Sequence, residues 1–123
     1  MQNQTNVIKI FDGVTILAGG TALSSPPLDI SLSGGNFSLQ LEVTGDGTLE
    51  VEKVLSNNGA DFLVPEGDVG VPILTGITKT SGPGGDGKLM EGFSSDVAES
   101  MKILLTEKGG ADPVTVTGWL AVQ

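Results

Sequence analysis

The chain has 123 residues, enough for one domain with one hydrophobic core, and it contains neither cysteine nor histidine. A disulfide-built scaffold, a Ser-His-Asp triad and an ordinary zinc site are therefore excluded. Fifteen acidic residues against six lysines give a net charge of −9, which disfavours direct binding to nucleic acid or to an anionic membrane because both would repel the chain.

Residues 1–6 are polar and carry no strand or turn signal, so we expect a flexible N-terminal arm ahead of a single domain over residues 7–123. The arm has no basic stretch followed by an apolar core, so we expect no signal peptide. Gln2, Asn3 and Gln4 are candidate partner contacts, because ordering such an arm costs conformational entropy that contacts outside its own core must offset.

The first third of the chain predicts three strands. Residues 7–11 and 14–18 read as a pair joined by the turn signal Asp12-Gly13. A proline-closed loop over residues 19–27 leads to an alternating segment at residues 28–32, which predicts the third strand.

The stretch over residues 37–55 has the clearest alternation of apolar and polar residues, interrupted by Gly45-Asp46-Gly47. A three-residue loop at this point predicts a hairpin in which Leu41 lies opposite Val51. Each strand would then present its apolar side to the core and its polar side outwards.

This predicted hairpin would place three carboxylates on one surface, those of Glu42, Glu50 and Glu52. Like charges directly opposite each other cost a few tenths of a kcal/mol, roughly, so the crowding needs a reason. Three explanations remain open: a solvated outer surface, a contact with a basic neighbouring subunit, or a bound calcium ion, although no EF-hand spacing is present. We take the three glutamates as candidate partner contacts.

The second half of the chain predicts further short strands and one long loop. Residues 61–64 and 88–93 read as strands, and a proline makes residues 71–77 an edge or irregular segment. Residues 78–87 predict a flexible glycine-rich loop, and residues 94–99 predict a single helical turn capped by a serine.

Residues 82–89, with the sequence GPGGDGKL, nearly match the phosphate loop GxxxxGK[ST]. Leu89 stands where the magnesium-binding hydroxyl belongs, and Asp86 would put negative charge beside the phosphates. A phosphate loop also leads into a helix, whereas a glycine soon interrupts this segment. We therefore expect a surface loop and no nucleotide site.

Residues 101–107 and 114–122 predict a last hairpin around the loop at residues 108–113. Trp119 is the single tryptophan, and its position in the alternation puts it on the outer side of its strand unless a bulge at Gly118 turns it inwards. It is either a packing residue or an exposed contact for a subunit or a sugar.

About eight or nine short strands, with connections too short for crossover helices, predict an all-β fold. We expect an antiparallel β-sandwich of jelly-roll-like type with little helix. A pair of acids could hydrolyse a glycoside, but such enzymes usually use several aromatic residues to hold sugars, and aromatic residues make up only 4% of this chain. We therefore expect no enzyme activity and no cofactor.

Three segments carry a family resemblance. Residues 35–59 contain GNF, TGDGTLEVE and SNNG, residues 78–87 read TKTSGPGGDG, and residues 101–121 run from MKI through GG to VTVTGWLA. In their run of strands and turns these segments resemble small β-sandwich virion proteins of tailed bacteriophages and prophages.

The resemblance implies a structural role without catalytic residues. It implies a homo-oligomer, with a trimer favoured, that is made in the host bacterial cytoplasm and binds the major capsid protein or other virion subunits. A capsid decoration protein is the first expectation and a neck or tail component the second. A carbohydrate-binding module for host recognition is the rival from a different class.

Overall fold

The computed structural model describes residues 5–123, which form nine β-strands in two antiparallel sheets. The predicted fold class, an antiparallel β-sandwich with little helix, is confirmed, and the described residues contain one 3-10 helix at Glu66–Asp68. The strands are β1 (Asn6–Ile16), β2 (Leu23–Ser24), β3 (Leu28–Asp29), β4 (Asn36–Thr44), β5 (Leu49–Ser56), β6 (Leu74–Ile77), β7 (Lys88–Ser94), β8 (Ser100–Glu107) and β9 (Val114–Val122).

The first half of the chain pairs with the second half in reverse order. β1 pairs with β9, β2 and β3 with β8, β4 with β7, and β5 with β6. Two more pairings, β4 with β9 and β5 with β8, complete a first sheet ordered β1-β9-β4-β7 and a second sheet ordered β2-β8-β5-β6, with β3 also on β8. The two sheets form the predicted antiparallel β-sandwich, and its jelly-roll-like type stays a prediction.

The core lies between the two sheets and is filled by alternate residues of the central strands. β4 contributes Leu39 and Leu41, and β8 contributes Met101, Ile103 and Leu105, all fully buried. Burying one such side chain contributes about 1.5–3 kcal/mol, so these strands supply much of the driving force for folding. The alternation that was visible in the sequence is therefore the alternation between core and surface.

The predicted hairpin of β4 and β5 is wrong. The two strands belong to different sheets, and the turn at residues 45–48 carries the chain across the core rather than back beside itself. Both strands keep their apolar residues inwards because they face the same core from opposite sides. The contrast between core and surface positions is therefore the same in a hairpin and in this crossing.

The predicted last hairpin, of β8 and β9, is wrong for the same reason. β8 lies in the second sheet beside β5, and β9 lies in the first sheet between β1 and β4. The glycine-rich loop at residues 108–113 joins the sheets at the same end of the sandwich as the turn at residues 45–48. The chain thus changes sheet at both places where the sequence predicted a hairpin.

The predicted strand pair at the beginning of the chain is one long edge strand. Asp12-Gly13 forms no hairpin turn, and β1 pairs with β9 along its whole length, with register shifts between Lys9 and Phe11 and between Phe11 and Val14. The first shift is a bulge that buries two consecutive residues, Ile10 and Phe11. A turn-like dipeptide therefore marks a bulged edge strand here.

Several smaller predictions also have outcomes. The strand at residues 88–93 is confirmed as β7, and β6 lies at the edge of its sheet, as the proline predicted. Residues 94–99 form no helical turn, and the strand predicted at residues 61–64 is reduced to one bridge, between Leu63 and Leu55. β3 is shorter than predicted, and the sequence did not indicate β2.

Candidate binding surfaces

The structure divides the predicted acidic surface between the two outer sides of the sandwich. Glu42 projects from β4 on the outer side of the first sheet, whereas Glu50 and Glu52 project from β5 on the outer side of the second sheet. A single contact surface made of all three glutamates is therefore wrong. Whether any of them contacts a partner remains a prediction. The predicted contacts Gln2, Asn3 and Gln4 lie outside the described residues.

Glu50 and Glu52 form a local acidic pair beside one lysine. Lys108 Nζ lies 3.4 Å from Glu50 Oε2, and both glutamates are partly buried. Partial burial raises the pKa of Glu52, and a hydrogen bond and repulsion from Glu50 raise it further.

Trp119 lies on the outer side of the first sheet, in line with its position in the sequence alternation. β9 pairs with β4 in regular register there, and the bulge at this level lies in β1. Gly118 therefore points inwards, where Phe11 and Leu41 approach it, and Trp119 stays on the outer side. Trp119 is partly exposed, and Lys9 Nζ lies 5.6 Å from the centre of its ring. The core-packing alternative for Trp119 is therefore wrong.

A row of side chains crosses the first sheet at the level of Trp119. The strand register places Lys9, Trp119, Gln40 and Met90 side by side on four neighbouring strands. Val7 lies in the next row, and Val7 and Met90 are 64% and 63% exposed. We call the outer side of this sheet around these five residues the Trp119 surface. It leaves apolar side chains of three strands uncovered.

Glu107 is a structurally important residue that sequence reasoning missed. It is the last residue of β8, points inwards and is only 1% exposed. Its carboxylate accepts hydrogen bonds from the backbone N–H groups of Thr48, Gly19, Gly109 and Gly110 at 2.7–3.1 Å. These bonds, with that from Thr48 first, lower the pKa of Glu107 to about 2.

Glu107 thus joins three loops at one end of the sandwich. We call this the closed end, formed by residues 17–22, 45–48, 78–87 and 108–113. The signal that could have identified Glu107 is a charged residue at an apolar position of the alternation, two residues before the pair Gly109-Gly110.

Lys53 gives the same kind of signal in β5, where it occupies an inward position. It is 9% exposed, its Nζ lies 2.9 Å from Asp68 Oδ2, and it lies 5.8 Å from the centre of the Phe93 ring. The ion pair ties the 3-10 helix to the strand. This lysine therefore has a structural role in the loop between β5 and β6.

The described part of the chain gives two findings about other kinds of site. Within residues 5–123, no three Asp or Glu side chains come together in a way that could hold a metal ion. In the same range, no helix is long and apolar enough to cross a membrane. The near-phosphate loop leads into strand β7 rather than into a helix.

Comparisons with known proteins give fold likenesses only. No protein-family model matches the chain, and no curated protein is significantly similar in sequence. Among solved structures, the protein of T=1 particles derived from infectious bursal virus matches with a TM-score of 0.59 at 14% identity, over 97% of this chain and 31% of that one. This chain therefore spans about a third of the length of that viral protein.

Two smaller proteins match over nearly their whole length. The CBM36-1 domain of a multidomain xylanase from the hindgut metagenome of Trinervitermes trinervoides matches with a TM-score of 0.52 at 9% identity, over 98% of this chain and 97% of that one. The SPBc2 prophage-derived protein YomS matches over 96% and 93% at 12% identity, but its TM-score of 0.46 is too low to carry an argument. At these identities, the chain shares a β-sandwich fold with a viral particle protein and with a carbohydrate-binding module.

Proposed function

We propose that this chain is a non-enzymatic structural protein of a tailed bacteriophage or prophage particle, and that it attaches to the head shell as a decoration protein. The Trp119 surface carries the proposal, because it leaves a methionine and a valine exposed and a tryptophan partly exposed on the outside of a folded sheet. Aromatic and apolar side chains exposed in this way mark contact surfaces. The fold likeness to a viral particle protein supports a virion setting.

The charges around the Trp119 surface favour contact with a second copy of the chain. Lys9 Nζ lies 3.0 Å from Asp12 Oδ1, and the register puts Glu42 beside Lys88. Local positive and negative charges therefore balance, and two copies can approach there without strong repulsion. A homo-oligomer, with a trimer favoured by the family resemblance, is part of the proposal.

Residues 1–5 supply the second proposed contact. Asn6, which was predicted as the last residue of the arm, pairs with Val122 in β1, so the arm that we propose is limited to residues 1–5. An arm over residues 1–5 would reach a neighbouring subunit or shell protein through Gln2, Asn3 and Gln4. Deleting it should leave the thermal midpoint of the free protein nearly unchanged but reduce the occupancy on particles.

Co-sedimentation tests the proposal directly. The purified chain is mixed with shells assembled from the shell protein encoded beside its gene, and bound protein is pelleted. We expect saturable binding. Trp119→Ala should weaken it by reducing self-association, and Thr115→Ala, on the same side of β9, should not. Absence of both shell binding and self-association would contradict the structural function. Binding to tail or neck assemblies alone would favour that position in the virion.

Fluorescence gives an independent readout, because Trp119 is the single tryptophan of the chain. If a second copy covers the Trp119 surface, the emission maximum should shift to shorter wavelength as protein concentration rises, in step with the mass measured by ultracentrifugation. A maximum that stays constant while the oligomer forms would place the contact elsewhere.

A carbohydrate-binding module is the second candidate function. The observation that favours it is the setting of Trp119, which lies beside the polar side chains of Gln40 and Lys9 in the strand register and is partly exposed on the outer side of the sheet. The fold likeness to a CBM36 domain supports it. Retention on insoluble xylan or cellulose that Trp119→Ala abolishes would put this candidate first.

A further inference from the structure

The end of the sandwich opposite the closed end has a different construction. We call it the open end, formed by the loops at residues 30–35, 57–73 and 95–99. A groove of about 560 Å³ lies between the second and third loops, and a smaller one of about 110 Å³ lies between the first and third. Val97 lines both grooves, so the loop at residues 95–99 is the wall that they share.

Apolar side chains stand uncovered on all three loops of the open end. Leu32 and Val97 are 100% and 99% exposed, and Leu63 is also largely exposed. One exposed apolar residue needs no explanation, but one on each of three neighbouring loops, beside two grooves, is typical of a contact surface.

The loops of the open end are ordered by hydrogen bonds before any partner arrives. Asn58 Oδ1 accepts hydrogen bonds from the backbone N–H groups of Ala60 and Asp61, at 2.9 and 3.0 Å. Asn57 Oδ1 accepts one from the N–H of Glu99 at 3.0 Å, which ties two of the loops together. A surface fixed in this way loses little conformational entropy on binding.

The loops of the open end carry only negative charge, although two strand lysines, Lys53 and Lys102, reach Asp68 and the Phe62 ring there. Residues 29–36, 56–73 and 94–99 contain six acidic residues and no lysine. Only one of the six, Asp68, has an ion pair, with Lys53, among the described residues. The acidic residues are Asp29, Asp61, Glu66, Asp68, Asp96 and Glu99. Asp61, Glu66 and Asp96 line the larger groove.

A second copy of this chain does not fit the open end, because the chain has little positive charge to offer. Four of its six lysines are paired with its own carboxylates. Lys102 lies 4.2 Å from the centre of the Phe62 ring, and Lys88 lies beside Glu42 in the strand register. Nucleic acid has the same charge sign as the open end and would be repelled.

We propose that the open end is the docking surface for a different protein, whose contact region carries lysine or arginine side chains next to apolar ones. Its apolar groups would cover Val97, Leu32 and Leu63, and its cations would meet Asp61, Glu66 and Asp96. The inference rests on the proposed function, in which the partner is a shell protein, and it assigns self-association and attachment to separate surfaces.

The test uses the isolated chain and a peptide of eight alternating lysine and leucine residues, followed by amide chemical shifts. We expect the shifts to concentrate in residues 30–35, 57–66 and 95–99, and binding to weaken as salt rises. The control is the matched peptide of glutamate and leucine, which should not bind. Shifts that map to the Trp119 surface or the closed end, equal binding of both peptides, or no binding at all would overturn the inference.

Paired variants test whether the peptide binds the acidic residues of the open end or responds only to the net negative charge of the chain. Asp61→Asn with Asp96→Asn should weaken peptide binding about 3–10-fold, whereas Asp86→Asn with Asp112→Asn, at the closed end, should leave it unchanged. Val97→Ser should weaken it by a similar factor, and Leu17→Ser, at a Leu that is 70% exposed at the closed end, should not. Equal effects of test and control variants would overturn the inference.

The same variants distinguish this inference from the proposed function. If the unmodified chain sediments with shells and the open-end variants do so equally well, only the docking inference fails. If the chain does not bind shells but the peptide maps to the open end, the virion function fails and a basic partner of another kind remains.

Discussion

The closed end and the open end of the sandwich both consist of loops that join strands. The two ends differ in how strongly hydrogen bonds tie these loops to one another. At the closed end, loops bond to one another: Glu107 binds three of them, Gly47 N donates to Pro113 O at 3.0 Å, and Val43 N donates to Gly87 O at 2.9 Å. At the open end, single hydrogen bonds join neighbouring loops, Glu99 N to Asn57 Oδ1 and Ser95 N to Gly35 O, at 3.0 Å each, and the loop at residues 57–61 is otherwise bonded within itself around Asn58. The difference leaves grooves and exposed apolar residues at the open end.

This difference separates two tasks within one small domain. Interlocked loops fix the crossings between the sheets, so the closed end sets the geometry of the sandwich. The loops of the open end are joined by fewer bonds and leave their outer surfaces uncovered, and this is the surface that we propose for another molecule. Substitutions that matter for stability should therefore concentrate at the closed end, and those that matter for binding at the open end.

The largest expected effect is that of Gly87→Ala. Gly87 has φ +79°, and an added Cβ would collide with the carbonyl oxygen of Val43 and lie 3.0 Å from that of Lys79. Strained backbone and overpacking together should lower the free energy of unfolding by about 3–5 kcal/mol in urea denaturation. Gly59→Ala is the matched control at the open end, because Gly59 has a similar φ of +75° but an added Cβ there would meet no atom within 4 Å. It should cost about 1–2 kcal/mol. Equal losses would contradict the comparison.

Glu107→Gln should give the next largest loss of stability. The amide keeps one acceptor oxygen but replaces the other with donors that face backbone N–H groups. Glu99→Gln, at an exposed position of the open end, is the control and should change the thermal midpoint little.

The pH dependence of this effect follows from the lowered pKa of Glu107, about 2 in the folded chain against about 4.3 in an unfolded chain. Because the folded pKa is depressed, the carboxylate contributes its full stabilisation above pH 4.3, and this contribution disappears as pH falls towards 2. The stability difference between the natural chain and Glu107→Gln should therefore shrink over that range. A difference that stays constant would show that charge is not the cause.

The sequence located most of the strands but not their partners. The alternation in β4, β5, β8 and β9 identified each strand and its inward side correctly. A turn such as Gly45-Asp46-Gly47 has the same residues whether the chain returns beside itself or crosses to the other sheet. Long-range packing decides between the two, and no local signal reports it.

The same limit explains why the acidic surface was predicted in the wrong form. Glu42, Glu50 and Glu52 do point outwards, as the alternation required, but outwards from opposite sheets. Trp119 was placed on the correct side because its position depends only on its own strand. Glu107 and Lys53 were visible as charges at inward positions, but their partners lie in distant loops that the sequence could not bring together.

Substituting either partner of the ion pair between Lys53 and Asp68 at the open end should lower the free energy of unfolding by a smaller amount, and the two substitutions should differ. Asp68→Asn leaves Lys53 buried without its counter-charge and should cost about 1–3 kcal/mol. Lys53→Met replaces a buried cation with an apolar side chain of similar length and leaves Asp68, which is 29% exposed, accessible to water. It should cost less than Asp68→Asn in the same denaturation experiment. The reverse order would show that the charge of Lys53 is better solvated than its burial indicates.

The smallest expected effect is that of Leu32→Ser on the free protein. Leu32 is fully exposed, so its removal uncovers no core and opens no cavity, and the free energy of unfolding should change by no more than about 0.5 kcal/mol. Leu17→Ser at the closed end should change it as little, because the interlocking there depends on backbone groups and Glu107 rather than on that side chain. The two variants should therefore be equal in stability and differ only in binding, where Leu32→Ser alone weakens the contact with a basic partner. If Leu32→Ser lowered stability by more than 1 kcal/mol, about twice that limit, the loop at residues 30–35 would be packed against the domain and could not offer its apolar residue to another protein.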